Sequence, residues 1–189
     1  AEIDVFDLRL ARLAYDDERV KLLMTIPGVS IVVGQALVAA FGDITRFESG
    51  DSAASYLGLT PSTRQSANSV YHGPITKHGN STARTMLVQA AQQYSRQAGP
   101  LGHFFQRLKR RKCHNVAVVA TARKLAIIAW RLLTTGEPYR YAQPAATATK
   151  LASLRIAAGG EKRRGGSPRG AKPTAKLPGG SKTIRSLDD

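Results

Sequence analysis

Between Asp51 and Glu137 the chain contains no Asp and no Glu, although the same stretch carries twelve Lys and Arg residues. Hard divalent cations take oxygen ligands, chiefly carboxylates, so this stretch lacks the groups with which a metal-dependent nuclease works. Bond breaking there requires another nucleophile. Cysteine is almost absent too: Cys113 stands alone, which excludes an intrachain disulfide and a cysteine-built zinc cluster and suits a reducing compartment. Its expected role is that of a small buried hydrophobe. His103 and His114 have no companions at metal-site spacing, and no metal ligand is assigned. No apolar run reaches the ~20 residues of a membrane helix, and the start lacks a basic-then-apolar signal pattern. A soluble cytoplasmic, nucleoid-associated protein without a membrane partner is the expectation.

What is present points to a polyanion. The 189 residues carry a formal charge of +15 and a pI near 10.5, with 42% apolar content, enough to bury a core. Twelve cations without internal counter-charges repel one another unless something negative sits against them, so nucleic acid is the natural partner. A basic ribosomal component would share these totals.

Along the chain, Ile3, Phe6, Leu10, Leu13, Val20 and Leu23 recur at near-helical spacing among acidic residues, which predicts an amphipathic helix with a break and no chemistry of its own. The first twenty residues read as the end of a helix already under way, so the chain is expected to be a fragment or one product of a divided gene. Pro27-Gly28 interrupts the next helical pattern, Ser30 is placed to cap its successor and Gly42 to end it. Two helices joined by a tight Pro-Gly-Val turn resemble a helix-hairpin-helix over about residues 21–43, which offers backbone N–H groups to a phosphate. An ordinary helical hairpin would have the same pattern. Residues 62–79 are polar and turn-rich and predict a long loop. Asn80 or Ser81 should cap a helix running to about Arg96. A further amphipathic helix is loaded at its end by Arg107, Lys109, Arg110, Arg111 and Lys112. An almost wholly apolar helix from Asn115 to Leu133 is the expected core, with Arg123 and Lys124 emerging at one edge. Residues 140–189 hold eleven Lys and Arg against three Asp and Glu and predict a disordered basic tail.

Taken as an ordered series, Ile26-Pro27-Gly28-Val29, Gly42-Asp43-Ile44, Tyr56-Leu57-Gly58-Leu59-Thr60-Pro61-Ser62, Gln65-Ser66, Gly73-Pro74-Ile75-Thr76-Lys77-His78-Gly79-Asn80 and Arg84 resemble the insertion-sequence transposases understood as bridge-RNA-guided recombinases. The resemblance spans about residues 3–135. It implies a C-terminal, serine-bearing transposase domain at 21–139, preceded at 1–20 by the end of a coiled-coil connector. The RuvC-like domain whose four acidic residues bind magnesium is missing from this chain. The resemblance places the serine nucleophile on Ser66, with Ser62 and Ser69 as alternatives in the same segment. Where the family has Gly after that serine this chain has Ala67, which bears on the local backbone if a positive φ is needed.

The residue chemistry is compatible with that assignment. A serine hydroxyl among Arg64, Lys77, Arg84 and Arg123 can attack a phosphodiester whose growing charge those cations stabilise. It needs a base or a polarising metal, and His72 and His78 are the nearest bases in sequence. The resemblance instead implies that Mg2+ and the acids come from a RuvC-like partner domain, in cis or in trans. The expected fold is mainly α. The expected function is DNA binding, transposition and site-specific recombination, with DNA, a guide RNA and further copies of the chain as partners. Pro27, Gly28, Arg64, Lys77, Arg84, Arg107, Lys109, Arg110, Arg111, Arg123 and Lys124 are the expected nucleic-acid contacts. The alternative is an inactive helix-hairpin-helix remnant or accessory that only binds DNA.

Overall fold

The computed structural model describes residues 2–66 and 69–161, without the side chain of His72. Among these residues the fold is mainly helical, in the order α1 (Glu2–Asp16), α2 (Glu18–Met24), α3 (Ile31–Phe41), α4 (Gly50–Tyr56), β1 (Pro61–Ser66), β2 (Ser69–Ile75), α5 (Ser81–Gln92), α6 (Pro100–Arg111), α7 (His114–Thr135) and α8 (Pro144–Ala157). Short 3-10 turns follow α3 and α5, at Ile44–Arg46 and Gln93–Ser95.

Helix starts are written in the sequence. Asp17 accepts from Arg19 N before α2, Ser30 from Val33 N before α3, Ser49 from Ser52 N before α4 and Asn80 from Ala83 N before α5. Each side-chain oxygen satisfies one backbone donor that the first turn leaves unpaired. Gly42, at φ 60°, ends α3, and Gly136, at φ 71°, ends α7.

The core forms around α7, which packs against α2, α4, α5 and α6. Its Ala117, Val118, Ala122, Leu125, Ala126, Ala129 and Leu132 are buried with Leu23, Leu37, Phe41, Leu57, Leu87 and Phe105. The alanines let neighbouring helices come close, and α4 does so at Gly50, where a Cβ would lie 2.7 Å from Ile127 Cγ2. Trp130 donates its indole N–H to Phe47 O at 3.2 Å, giving the half-buried ring the polar partner it needs. Gly34 brings α3 onto α2, where a Cβ would meet Val20 Cγ1 at 3.2 Å.

Three expectations change, and the burial of α1 adds a fourth point. The polar segment after Thr60 is an antiparallel β-hairpin rather than a long loop. Its register runs from Pro61↔Ile75 to Ser66↔Ser69, with a bulge between Pro61 and Thr63. Composition conceals it because its outer residues are polar and its apolar members, Val70 and Tyr71, are exposed, leaving no alternating pattern to read. The basic tail expected from residue 140 begins with helix α8, whose Leu154 is fully buried with Ala14, Val20 and Met24. The part of the tail at 162–189 lies outside the described residues. On α1 the apolar stripe faces outward. Ile3, Phe6, Leu10 and Leu13 are all at least half exposed, while Ala11 and Ala14 are buried and α8 packs on this helix. Cys113 is exposed rather than buried, because it sits at the corner between α6 and α7. Among the described residues no helix is long and apolar enough to cross a membrane.

Lys150 fastens α8 to the body. Its Nζ donates to Met24 O and Ile26 O, both at 2.8 Å, at the end of α2. Burial pushes its ammonium below the ordinary lysine value, and the two carbonyls hold it as a cation against that penalty. Lys150→Ala should lower stability by about 1–3 kcal/mol, the worth of hydrogen bonds to a charged donor. A fall in the urea midpoint with the helical signal otherwise retained is the expected readout.

Candidate functional site

The hairpin is set in place at its base by main-chain contacts. Lys77 N donates to Gly58 O at 3.2 Å and Thr76 N to Thr60 O at 2.9 Å. Gly58, at φ 69°, lies against the main chain of Lys77 and His78, and Gly79, at φ 92°, lies against Tyr56 O. A Cβ on either would collide with those backbone atoms. Only glycine tolerates both the left-handed backbone and the proximity, so the Leu-Gly-Leu-Thr-Pro and Lys-His-Gly-Asn segments meet as one clamp. Lys77 itself is at φ 59°, a conformation non-glycine residues seldom take. Arg84, from the first turn of α5, donates Nη1 to Leu57 O at 3.1 Å across the same junction.

Ser66 stands at the far end of β1. It is exposed, and its Oγ lies 3.2 Å from Ser69 Oγ across the turn. Ser69 Oγ also reaches Ser66 O at 3.4 Å. Ala67 and Asn68 lie outside the described residues. Ser62 is engaged elsewhere: its hydroxyl donates to Pro74 O at 3.1 Å, and Gly73 leaves space for it, since a Cβ there would come within 2.6 Å of Ser62 Oγ. Of the three candidate serines, Ser66 and Ser69 therefore share the exposed tip, and Ser62 braces the base.

The expected cations divide into two groups. Arg84 is committed to Leu57 O, and Arg123 Nη2 pairs with Asp51 Oδ1 at 2.9 Å. Lys124 Nζ stands 4.7 Å above the Phe104 ring, a cation–π arrangement. These three hold structure as well as charge. Arg64 and Lys77, on and beside the hairpin, and Arg107, Lys109, Arg110 and Arg111 on α6 are turned mainly to solvent. An apolar groove of about 400 Å³ separates the hairpin base from the first half of α7, with Pro61, Pro74, Val116, Val119 and Arg123 among its walls. The basic end of α6 immediately precedes that half of α7.

The Pro27-Gly28 turn packs against α5. Tyr94 donates its hydroxyl to Pro27 O at 2.7 Å. Gly28 has φ 84°, and a Cβ there would stand 3.0 Å from Ala90 O. Burial raises the Tyr94 phenol above its ordinary pKa, with a smaller push from Tyr139, so it stays protonated as a donor. Ile26 and Val29 are fully buried beneath the turn. The sequence gives no warning of Tyr94 and Lys150 as residues that fix this turn, beyond a polar tip on an otherwise inward or alanine-rich helix. Among the described residues no three His, Cys, Asp or Glu are grouped to hold a metal ion.

Comparison with known proteins adds a lineage to this geometry. Residues 20–106, which contain the turn, the clamp and the hairpin, match the family model described as transposase IS116/IS110/IS902 family. The chain is 37% identical over 147 residues to the putative transposase y4pF/y4sB of Sinorhizobium fredii, covering 75% of the chain and 38% of that protein. It is 30% identical over 150 residues to a probable family 20 transposase of Pseudomonas aeruginosa, covering 74% of the chain and 44% of that protein. Over 126 residues it is 30% identical to the pilin gene-inverting protein of Moraxella bovis, covering 65% and 39%. The chain thus spans about two-fifths of the length of these relatives.

Gly79→Ala should cost about 2–4 kcal/mol, since it adds a side chain at a left-handed position against a carbonyl. Amide exchange in β1 and β2 should accelerate more than in α7, and equal acceleration throughout would contradict the clamp.

Proposed function

We propose that the chain, which matches the transposase IS116/IS110/IS902 family model through residues 20–106, is the serine-bearing, DNA-binding portion of a transposase of the bridge-RNA-guided kind. The observation that carries this reading is the position of Ser66, exposed at the tip of a hairpin whose base is clamped by Gly58 and Gly79. A nucleophile held out on a rigid stem suits a large substrate that cannot enter a pocket. Arg64, two residues along β1 from Ser66, would attract the phosphodiester and offset charge as it develops, while Lys77 at the hairpin base would hold the DNA backbone further along.

In the step we assign to Ser66, its Oγ forms a bond to phosphorus while the bond from phosphorus to the leaving deoxyribose oxygen breaks. The phosphoserine bond keeps the energy for rejoining another strand. The Oγ proton must leave, and the group nearest to it is the Ser69 hydroxyl, which is no base at neutral pH. The donor set around the serine does not fit magnesium either, because the described residues offer no carboxylate cluster. We therefore place the acids, and any Mg2+ they hold, on a RuvC-like domain supplied in cis or in trans. Guide RNA and further copies of the chain belong to the same proposal. The α2–turn–α3 unit would act as a helix-hairpin-helix, with Pro27 and Gly28 at the phosphate and Arg107, Lys109, Arg110 and Arg111 extending the contact. Arg84, Arg123 and Lys124 support it secondarily because each already holds another group.

A second reading, a module that binds DNA without cutting it, is favoured by Ser66 Oγ having, among the described residues, only the Ser69 hydroxyl as a side-chain partner. One reconstitution separates the two. The chain would be combined with an acidic RuvC-like domain from a family member, guide RNA and DNA carrying element ends, and protein–DNA adducts resolved under denaturing conditions. Adducts should form with the natural chain and with Ser69→Ala, and disappear with Ser66→Ala. Adducts that survive Ser66→Ala would refute the nucleophile, and binding without adducts from any chain would favour the module.

A further inference from the structure

The antiparallel register sorts the hairpin into two faces. Side chains alternate along each strand, and residues directly opposite each other point the same way, so Ser66↔Ser69 and Arg64↔Tyr71 stand on one face and Gln65↔Val70 on the other. The atomic contacts agree with that parity. Ser66 Oγ and Ser69 Oγ are 3.2 Å apart. Nearer the base, Tyr71 Cε1 and Ser62 Oγ both border Gly73, at 3.7 Å and 2.6 Å from where a Cβ there would lie. The candidate nucleophile therefore shares its face with a tyrosine that has no part in the step assigned to Ser66.

Tyr71 is 67% exposed, the most open Phe, Tyr or Trp among the described residues. An aromatic side chain ordinarily contributes by burying its ring, and this one stands out in solvent beside two serine hydroxyls and the exposed Arg64. A surface for docking another protein is a contiguous apolar patch, whereas this face carries a single ring among hydroxyls and a cation. That combination suits a single strand of nucleic acid, whose bases stack on aromatic side chains while cations track its backbone. A duplex hides the faces of its bases, so the ring fits a base that has left the stack. Diagonal neighbours across an antiparallel pair lie about 7–8 Å apart, which keeps the ring close to the Ser66 hydroxyl.

We propose that Tyr71 stacks on an unpaired DNA base on the face that carries Ser66, with Arg64 taking the backbone beside that base. The contact would hold one nucleotide in place next to the phosphate that Ser66 faces. The inference rests on the reading that the chain binds DNA and does not require Ser66 to be the nucleophile.

The test measures binding to fluorescent dU20, an abasic DNA 20-mer and U20 RNA at one salt concentration. The natural chain should bind dU20 about tenfold tighter than the abasic strand, which offers the same phosphates without bases. Tyr71→Leu, an exposed change that keeps an apolar side chain and removes the ring, should bring that preference to about one. Tyr71→Phe, which keeps the ring, and Val70→Ala, on the opposite face, should retain it. All three variants should keep the salt dependence of the natural chain, which reports phosphate contacts. Equal binding of dU20 and the abasic strand by the natural chain, or a preference that survives Tyr71→Leu, would overturn the inference and leave DNA binding intact. Loss of the preference in Tyr71→Phe or Val70→Ala would overturn stacking on this face. The affinity lost in Tyr71→Leu should be at least as large for dU20 as for U20, and a larger loss on the RNA would overturn the assignment to DNA. A natural chain that binds none of the strands would overturn the DNA-binding reading and this inference with it.

Discussion

The contact on which the candidate site depends is one of backbone against backbone. Gly58 and Gly79 each lie where a β-carbon would strike the opposing main chain, and both take left-handed φ values. The chain therefore enters and leaves the hairpin through a junction with no room for side chains. Thr76 and Lys77 complete it with amide hydrogen bonds, and Arg84 crosses it to Leu57 O. A two-stranded ribbon is marginal by itself in water. Here its base is held by α4 and α5, both packed on the core through α7, so the position of Ser66 is inherited from the centre of the fold.

The acid-free stretch acquires a finer meaning in three dimensions. Not all of its cations are free to meet a polyanion. Arg123 reaches back to Asp51, the last carboxylate before the stretch begins, Arg84 serves the clamp, and Lys124 rests over Phe104. Arg64, Lys77 and the end of α6 remain open to solvent. Charge counted along the sequence thus overstates the contact surface and misplaces part of it. What ties Arg84 and Arg123 down is a carbonyl and a carboxylate within hydrogen-bond reach, while Arg107 and Lys124 share the Phe104 ring.

Much of the helical fold was legible because its signals are local. Ser30 and Asn80 cap where expected, Gly42 stops α3, and α7 is read from its apolar length. The hairpin escaped because its stability comes from the junction at its base rather than from an alternating apolar face. Helix α8 escaped because a run of Ala and Thr with one Lys resembles a low-complexity tail until Leu154 and Lys150 find their partners in α1 and α2. On α1 the spacing gave the helix and its break, while small Ala11 and Ala14, not the apolar stripe, supply the buried side. For the candidate site, the ordered motifs single out Ser66 as an expectation, and the structure puts it exposed at the end of β1. The roles of Gly58 and Gly79 require the meeting of segments twenty residues apart, which no window along the chain contains.

The fastening of α8 by Lys150 bears on where this molecule can be divided. The carbonyls it holds belong to Met24 and Ile26, the residues that lead into the Pro27-Gly28 turn, while Arg12 reaches Ala158 O from α1. The first and last helices described thus pack together beside the turn. A version ending near residue 140 would keep every segment matched by the family model and yet leave Val20, Met24 and Ala14 wet. The matched region thus stops short of the helix that covers Val20 and Met24 within it.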